Sequence, residues 1–207
     1  MWRAIIITGA ALSAACSAPV APRAQPSGEA IAFGAGPGGP ANACFTCHGL
    51  NGEGDGPTPR LAGLSTGYLV KQLEDYAGRW RDEPSMSPIA ARLSDADRVA
   101  VASYYAGLKE AAPRGLRPAI AGWRLFIEGD AGRGPKPCAS CHGSGGRNGG
   151  LAPPRLAGQT AEYVRNQLIA WKESRRRNDP RDTMGAIARK LTTAEIESLS
   201  IYVQALP

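Results

Sequence analysis

The sequence predicts an all-α protein made of two tandem domains. An internal repeat supports the division, because CFTCHG at 44–49 recurs as CASCHG at 138–143. Apolar residues at helical spacing support the class, over 66–80 in the first half and 160–177 in the second. No segment shows a sustained two-residue alternation, so we expect essentially no sheet.

The repeat continues through both halves in the same order. PRLAG at 59–63 recurs at 154–158, and the offset between matched motifs grows from 94 to 98 residues, which indicates short loop insertions. The last helix of each half should open with a capping pair, Ser94 with Asp97 and Thr192 with Glu195. We therefore expect domains at 28–112 and 113–207.

The N-terminus has the pattern of a secretory signal at 1–15, because Arg3 precedes a short apolar run and small residues precede Cys16. Cys16 opens a Pro/Ala-rich tether, 16–27, and resembles the lipidated residue of a bacterial lipoprotein. The alternative is an ordinary signal whose cleavage leaves or removes a free thiol. We expect export to the bacterial periplasm and a lipid anchor at Cys16. No other stretch is long and apolar enough to cross a membrane.

The chemistry of the chain is concentrated in two CxxCH motifs. Two thiols three positions apart can each add to one vinyl group of a haem, and the next histidine can reach the iron from the same side. Alone, each CxxC could also be a thioredoxin-like redox pair or half of a zinc site. Both histidines of the chain directly follow a CxxC, which favours two covalently attached haems. The residues concerned are Cys44, Cys47, His48, Cys138, Cys141 and His142.

The sixth iron ligand follows by elimination. Apart from Met1, the chain has only Met86 and Met184, which lie 38 and 42 residues after their respective histidines. Isolated methionines usually fill gaps in a core. These two occupy matching polar loops, so we predict that both are thioether ligands, and histidine–methionine ligation raises the reduction potential of a haem. Because both axial positions would be filled, we expect an electron carrier and no enzyme.

Charge is divided unevenly between the halves. Residues 28–112 carry seven Lys and Arg against ten Asp and Glu, whereas 113–207 carry fifteen against eight. The sharpest feature is a basic run before Met184: Lys172, Arg175, Arg176, Arg177 and Arg181. Such runs are often only solvated helix ends. Here we predict a docking patch for an acidic redox protein, with anionic lipid as the alternative and no nucleic-acid partner.

The order CxxCH, Pro-x-Leu, Met and C-terminal helix resembles class I c-type cytochromes, and two such units in one exported chain resemble the cytochrome c4 family. The resemblance implies two tandem class I domains, each wrapped around its haem, with the carbonyls of Pro59 and Pro154 accepting from the haem histidines. It also implies packing about a pseudo-twofold axis with the propionates near the interface. In that family the first and last helices of a domain cross; GPGGP at 36–40 is a poor helix former, so this contact should be weak or remodelled in the first domain.

The resemblance further implies a place in a respiratory chain. The expected partner is a membrane-bound complex, most simply a terminal oxidase that takes single electrons from the protein. The alternative is a di-haem subunit of a dehydrogenase complex, such as a flavocytochrome sulfide dehydrogenase. A di-haem peroxidase would require a vacant or exchangeable position on one iron. The sequence offers no third histidine and no spare ligand that would give one haem this reactive role.

Overall fold

The computed structural model describes residues 25–109, 120–150, 153–179 and 181–207. The predicted signal and Cys16 lie outside the described residues, as do most of the tether and the predicted domain junction at 112 and 113. Within the described ranges, no helix is long and apolar enough to cross a membrane.

The all-α prediction is confirmed, since the described ranges contain only one isolated β-bridge, between Asp55 and Thr58. The first half contains α1 (Gly28–Ala30), a π-helical turn (Ile31–Ala35), a 3₁₀ turn (Pro40–Asn42), α2 (Phe45–His48), α3 (Thr66–Ala77), α4 (Met86–Ala90) and α5 (Asp95–Gly107). The second half contains α6 (Ile120–Ile127), α7 (Ala139–His142), α8 (Ala161–Lys172), α9 (Thr183–Ala188) and α10 (Thr193–Ala205).

Each half has its own apolar core, in which the first and last helices cross. In the first half α1 and the π-helical turn pack on α5, and in the second α6 packs on α10. Both crossings occur at a glycine: a Cβ on Gly28 would overlap the Ala100 carbonyl oxygen, and one on Gly122 would overlap that of Ser198. The repeat therefore encodes two similar helical units.

The first crossing is remodelled, in line with the poor helix-forming segment that follows it. The π-helical turn kinks at Gly34, where φ is 95°. The first half therefore has no regular α-helix in the place that α6 occupies in the second half. Ile31 and Ala32 are nevertheless buried. The contact is thus shortened but retained.

Both predicted capping pairs are present. Ser94 Oγ accepts from the Asp97 N–H at 3.1 Å, while the Asp97 carboxylate accepts from the Ser94 N–H at 3.0 Å. Thr192 and Glu195 make the equivalent bonds at 3.2 and 2.8 Å. These bonds satisfy donors that the first turn of an α-helix leaves unpaired, which fixes where α5 and α10 begin.

Glu195 also forms an ion pair with both terminal nitrogens of Arg133, a link between α10 and the loop before α7. The Arg133 guanidinium first, and the Thr192 N–H in addition, lower the pKa of Glu195 from 4.5 to about 2. A carboxylate whose pKa is lowered by folding stabilises the protein above its unfolded-state pKa. That contribution is lost as the pH falls from 4.5 towards 2.

Replacing Glu195 with glutamine should therefore lower the free energy of unfolding by about 1 kcal/mol near neutral pH, because glutamine can cap the helix but cannot pair with Arg133 as an anion. Denaturant unfolding of wild type and variant should give converging stabilities as the pH falls to about 2. The matched control is Glu197→Gln, which breaks a 3.3 Å surface pair with Arg165. A constant difference between wild type and E195Q at every pH would contradict the assignment.

The two halves meet through polar contacts next to the PRLAG segments. The Arg60 N–H donates to Gln159 Oε1 at 2.8 Å, and Gln159 Nε2 returns a bond to the Arg60 carbonyl at 3.1 Å. Arg60 Nη2 also reaches the Ala157 carbonyl at 2.6 Å, and Arg60 is only 2% exposed. Since Arg60 directly follows Pro59, the predicted haem environment of the first half lies beside the interface.

Candidate haem-binding site

The two CxxCH motifs form matching single helical turns. The His48 N–H donates to the Cys44 carbonyl and the His142 N–H to the Cys138 carbonyl, both at 2.9 Å. This i to i+4 bond places the first cysteine and the histidine on one side of the turn. Gly49 ends the first turn and Gly143 the second, with φ of 85° and 80°, values that favour glycine.

Each histidine is buried and oriented by one carbonyl. His48 Nδ1 lies 2.9 Å from the Pro59 oxygen, and His142 Nδ1 lies 2.8 Å from the Pro154 oxygen. Because a carbonyl can only accept, Nδ1 carries the proton and Nε2 is left as the metal-binding nitrogen. Burial lowers the pKa of both histidines more than the carbonyl bond raises it, which keeps the rings neutral.

The first thiol of each motif has the character of an attachment site and not of a thiolate redox centre. Burial raises the pKa of Cys44, and it raises that of Cys138 to about 11. Redox-active CxxC pairs instead have lowered pKa values. Among the described residues no group of three or more His, Cys, Asp or Glu side chains is arranged to hold a metal ion. The donor set of two thiols and one oriented neutral imidazole fits a c-type haem better than the zinc or thioredoxin alternatives.

The two methionines occupy equivalent loops. Met86 opens α4, which packs on α3, and Met184 lies in the first turn of α9, which packs on α8. Both side chains are half-buried, and Met184 contacts the apolar core of its half. Each loop is held by an acidic side chain that accepts from the methionine N–H: Glu83 for Met86 at 2.9 Å, and Asp179 for Met184. Neither acidic residue was singled out from the sequence, although each stands within five residues of its methionine.

Comparisons with known proteins settle the family. The family model described as Cytochrome c matches this chain twice, at residues 39–109 and 128–207. The crystal structure of reduced recombinant cytochrome c4 from Pseudomonas stutzeri superposes with a TM-score of 0.75 at 34% identity, covering 79% of this chain and 93% of that one. The chain belongs to the cytochrome c4 family. As in other members, its two domains each bind one haem c covalently.

Two further relatives bear on partners. A thiosulfate dehydrogenase electron acceptor from Stutzerimonas stutzeri is 40% identical over 168 residues, which are 78% of either chain. The structure of a thiosulfate dehydrogenase from Marichromatium purpuratum matches with a TM-score of 0.77 at 39% identity. The match covers 87% of this cytochrome but 40% of that chain. The electron acceptor and the cytochrome c4 relatives are electron-transfer proteins rather than enzymes, which confirms the expectation of an electron carrier.

Only part of the predicted basic patch is exposed in the structure. Arg175, Arg177 and Arg181 are exposed, whereas Lys172 donates to the Leu191 carbonyl at 2.6 Å. Arg176 is only 6% exposed, so the prediction that it docks a partner is wrong. The run leaves helix α8 at Ser174, which has a φ of 57°. That turn directs Arg176 inward, towards the other domain.

Sequence reasoning missed the side chains that Arg176 meets. Gln72 and Gln167 occupy matching places in the repeat, as do Arg81 and Arg176, but regular spacing gave no sign that all four converge. Arg176 Nη1 donates to Gln167 at 2.8 Å and Nη2 to Gln72 at 3.1 Å. The only signal in the sequence was the shared offset of 95 residues between the two glutamines and between the two arginines.

Proposed function

We propose that this cytochrome accepts single electrons from a thiosulfate-oxidising dehydrogenase in the periplasm and passes them to a respiratory acceptor, most simply a terminal oxidase. The observation that supports the donor is the 40% identity with the electron acceptor of S. stutzeri. The M. purpuratum thiosulfate dehydrogenase adds support, because the part of its chain that is similar to this cytochrome makes up 40% of that chain. Of the two classes of partner expected from the sequence, the dehydrogenase class therefore gains the stronger support.

The proposed iron ligands are His48 and Met86 in the first domain and His142 and Met184 in the second. When bound, each haem supplies an iron that changes its charge by one electron. The chain orients the imidazoles through the Pro59 and Pro154 carbonyls and holds the methionine loops through acidic side chains. If one histidine and one methionine held each iron, the iron could not easily bind a substrate, which would suit a carrier.

We assign docking of the onward, acidic acceptor to the exposed part of the basic run, Arg175, Arg177 and Arg181. Arg175 is partly neutralised by Glu173, since its Nη2 lies 2.7 Å from that carboxylate, so Arg177 and Arg181 contribute most of the attraction. Electrons would then enter through the acidic first domain and leave through the basic second one. A lipid on Cys16 would keep the cytochrome near membrane-bound acceptors.

The donor assignment is tested by mixing oxidised holoprotein with purified thiosulfate dehydrogenase and thiosulfate in a stopped-flow spectrometer. Both haems should be reduced, and omission of either the enzyme or thiosulfate should abolish reduction. The matched control for the partner is a mono-haem cytochrome of similar potential, which should be reduced more slowly. Failure of this cytochrome to be reduced faster than that control would refute the assignment.

Neutralising Arg177 and Arg181 together as glutamines should slow oxidation of the cytochrome by an acidic oxidase about tenfold at low ionic strength and flatten the salt dependence, because long-range attraction sets the encounter rate. The control neutralises Arg92 and Arg124, which are exposed elsewhere. Equal rates for both double variants, measured across ionic strengths, would exclude this docking surface.

A further inference from the structure

A pair of equivalent buried residues differs in polarity between the two domains. Tyr105 on α5 and Val203 on α10 occupy the same place, because the Tyr105 carbonyl accepts from the Gly63 N–H and the Val203 carbonyl from the Gly158 N–H, both at 3.1 Å. Gly63 and Gly158 are the last residues of the two PRLAG segments. The side chains are 3% and 2% exposed. The first domain therefore buries a phenol where the second buries an apolar side chain.

The Tyr105 side chain lies beside the first cysteine of the first CxxCH motif. Cys44 packs against the apolar core that contains Tyr105. Burial raises the pKa of the Cys44 thiol, while its own backbone N–H and the Tyr105 hydroxyl act in the opposite direction. A hydroxyl lowers the pKa of a thiol when it donates towards the sulfur, because such a bond favours the charged form. The phenol is therefore directed at the Cys44 sulfur.

Close packing holds the Tyr105 ring in this orientation. A Cβ added to Gly52, in the loop after α2, would lie 2.8 Å from Tyr105 Cδ1 and 3.2 Å from the Ala62 nitrogen. The ring of Tyr104 contacts that of Tyr105 edge-on, with 5.2 Å between the ring centroids. Because the loop on one side and a second ring on the other limit its movement, the hydroxyl stays next to Cys44.

The hydroxyl is a donor that the described polypeptide does not fully satisfy. It is buried, and its contact with Cys44 falls short of a regular hydrogen bond. Burial raises the pKa of Tyr105, and the neighbouring Cys44 and Tyr104 raise it further, so the phenol keeps its proton. Native structures seldom leave a buried O–H without an acceptor, because the unmade bond is costly. A sulfur atom can serve as a weak acceptor.

Cys44 is one of the two residues through which the first haem is attached, so its sulfur belongs to the edge of the macrocycle. As a thioether this sulfur has no proton and can only accept. An O–H that points at it places the positive end of a dipole beside the haem. Iron has one positive charge less after reduction, so the dipole favours the ferrous form, and buried surroundings strengthen the effect.

We infer that the Tyr105 O–H donates to the Cys44 sulfur in the haem-loaded protein and raises the reduction potential of the first haem. Val203 offers the second haem no such donor, so the effect is confined to one domain. Tyr105 acts through Cys44 and without contact to the iron, and it sets how readily the first haem takes up an electron. The inference requires the first haem but is independent of which partner donates electrons.

The test is an optical redox titration of Tyr105→Phe holoprotein, since this variant keeps the ring and removes only the hydroxyl. The equilibrium constant for reduction of the first haem should fall about threefold, the size of a weak net hydrogen bond. That of the second haem should be unchanged. Proton NMR assigns each potential to its domain through the haem methyl resonances, and the Cys44 β-proton resonances should also move in Y105F.

The matched control is Tyr104→Phe. Tyr104 precedes Tyr105 on the same helix and is only partly buried. Loss of its hydroxyl should leave both potentials close to wild type. Unchanged potentials in Y105F would overturn the inference. Equal decreases for the two haems would overturn it as well, because they would reveal a general change in the protein.

Chemical denaturation distinguishes this role from a purely structural one. If the buried hydroxyl made no bond in the holoprotein, its removal would relieve an unsatisfied donor and make Y105F more stable than wild type. If it donates to the Cys44 sulfur, the free energy of unfolding should not increase. A gain in stability together with wild-type potentials in Y105F would show that the hydroxyl does not act on the haem.

Discussion

Replacing Met184, the proposed ligand of the second iron, with alanine should remove one of the two thioether ligands while the first haem is unaffected. The methionine-to-iron charge-transfer band should fall to about half its intensity, because one of two thioether ligands is lost. The reduction potential of the second haem should fall by about 120 mV or more, a hundredfold change in the equilibrium constant for reduction. The loop itself should persist, since the residue 184 N–H still donates to Asp179.

The measurement combines an optical redox titration with the binding of carbon monoxide to the reduced protein. Wild type should bind none, and M184A should bind one equivalent. Met86→Ala is the matched variant in the first domain. It should lower the potential of the first haem, leave the second haem unaffected and also bind one equivalent of carbon monoxide. If the charge-transfer band and both potentials were unchanged in M184A, methionine ligation of the second iron would be disproved. The proposal that this cytochrome has no iron position open to a substrate would then fail as well.

Replacing Gly122 with alanine should strongly destabilise the second domain, because it adds a methyl group where two helices cross. The added Cβ would overlap the Ser198 carbonyl oxygen and lie 2.7 Å from the Tyr202 Cβ, so α6 and α10 would have to separate. Overpacking of this kind costs about 2 to 3 kcal/mol. Gly28→Ala should have the corresponding effect where α1 crosses α5.

Chemical denaturation followed by far-ultraviolet circular dichroism measures the loss. The control is Gly107→Ala at the end of α5, where an added Cβ meets nothing within 4 Å. Alanine there should be neutral or stabilise the protein by up to about 0.5 kcal/mol, because glycine is the poorer helix former. If G122A lost less than about 0.5 kcal/mol and so behaved like the G107A control, the helix crossing would be shown to relax around the methyl group.

Much of the fold could be predicted because its signals are local. The CxxCH turns, the helix starts at Ser94 and Thr192, and the poor helix-forming segment after α1 each depend on residues within a few positions of one another. Such interactions form between neighbours along the chain whatever the rest of the protein does. Because the motifs repeat in the same order, each turn or helix predicted in one half also predicted its counterpart in the other half.

The glycine crossings, and the contacts of Arg81 and Arg176 with Gln72 and Gln167, could not be predicted in this way. Glycine by itself is an unfavourable helix residue, and only the close approach of α5 to Gly28 and of α10 to Gly122 explains why glycine stands there. Arg176 belonged to a run of charges that reads as exposed. Its burial results from the turn at Ser174 together with acceptors about a hundred residues away.

The sequence by itself determined that this protein carries two haems in two helical domains, because covalent attachment and its histidine need only five consecutive residues. It did not determine how the domains face each other. That arrangement was decided by tertiary structure, in which Arg81 and Arg176 converge on the same two glutamines. The physical reason is that the hydrogen-bond partners of a buried group are set by distance in space, and residues far apart in the chain become neighbours only when both domains have folded.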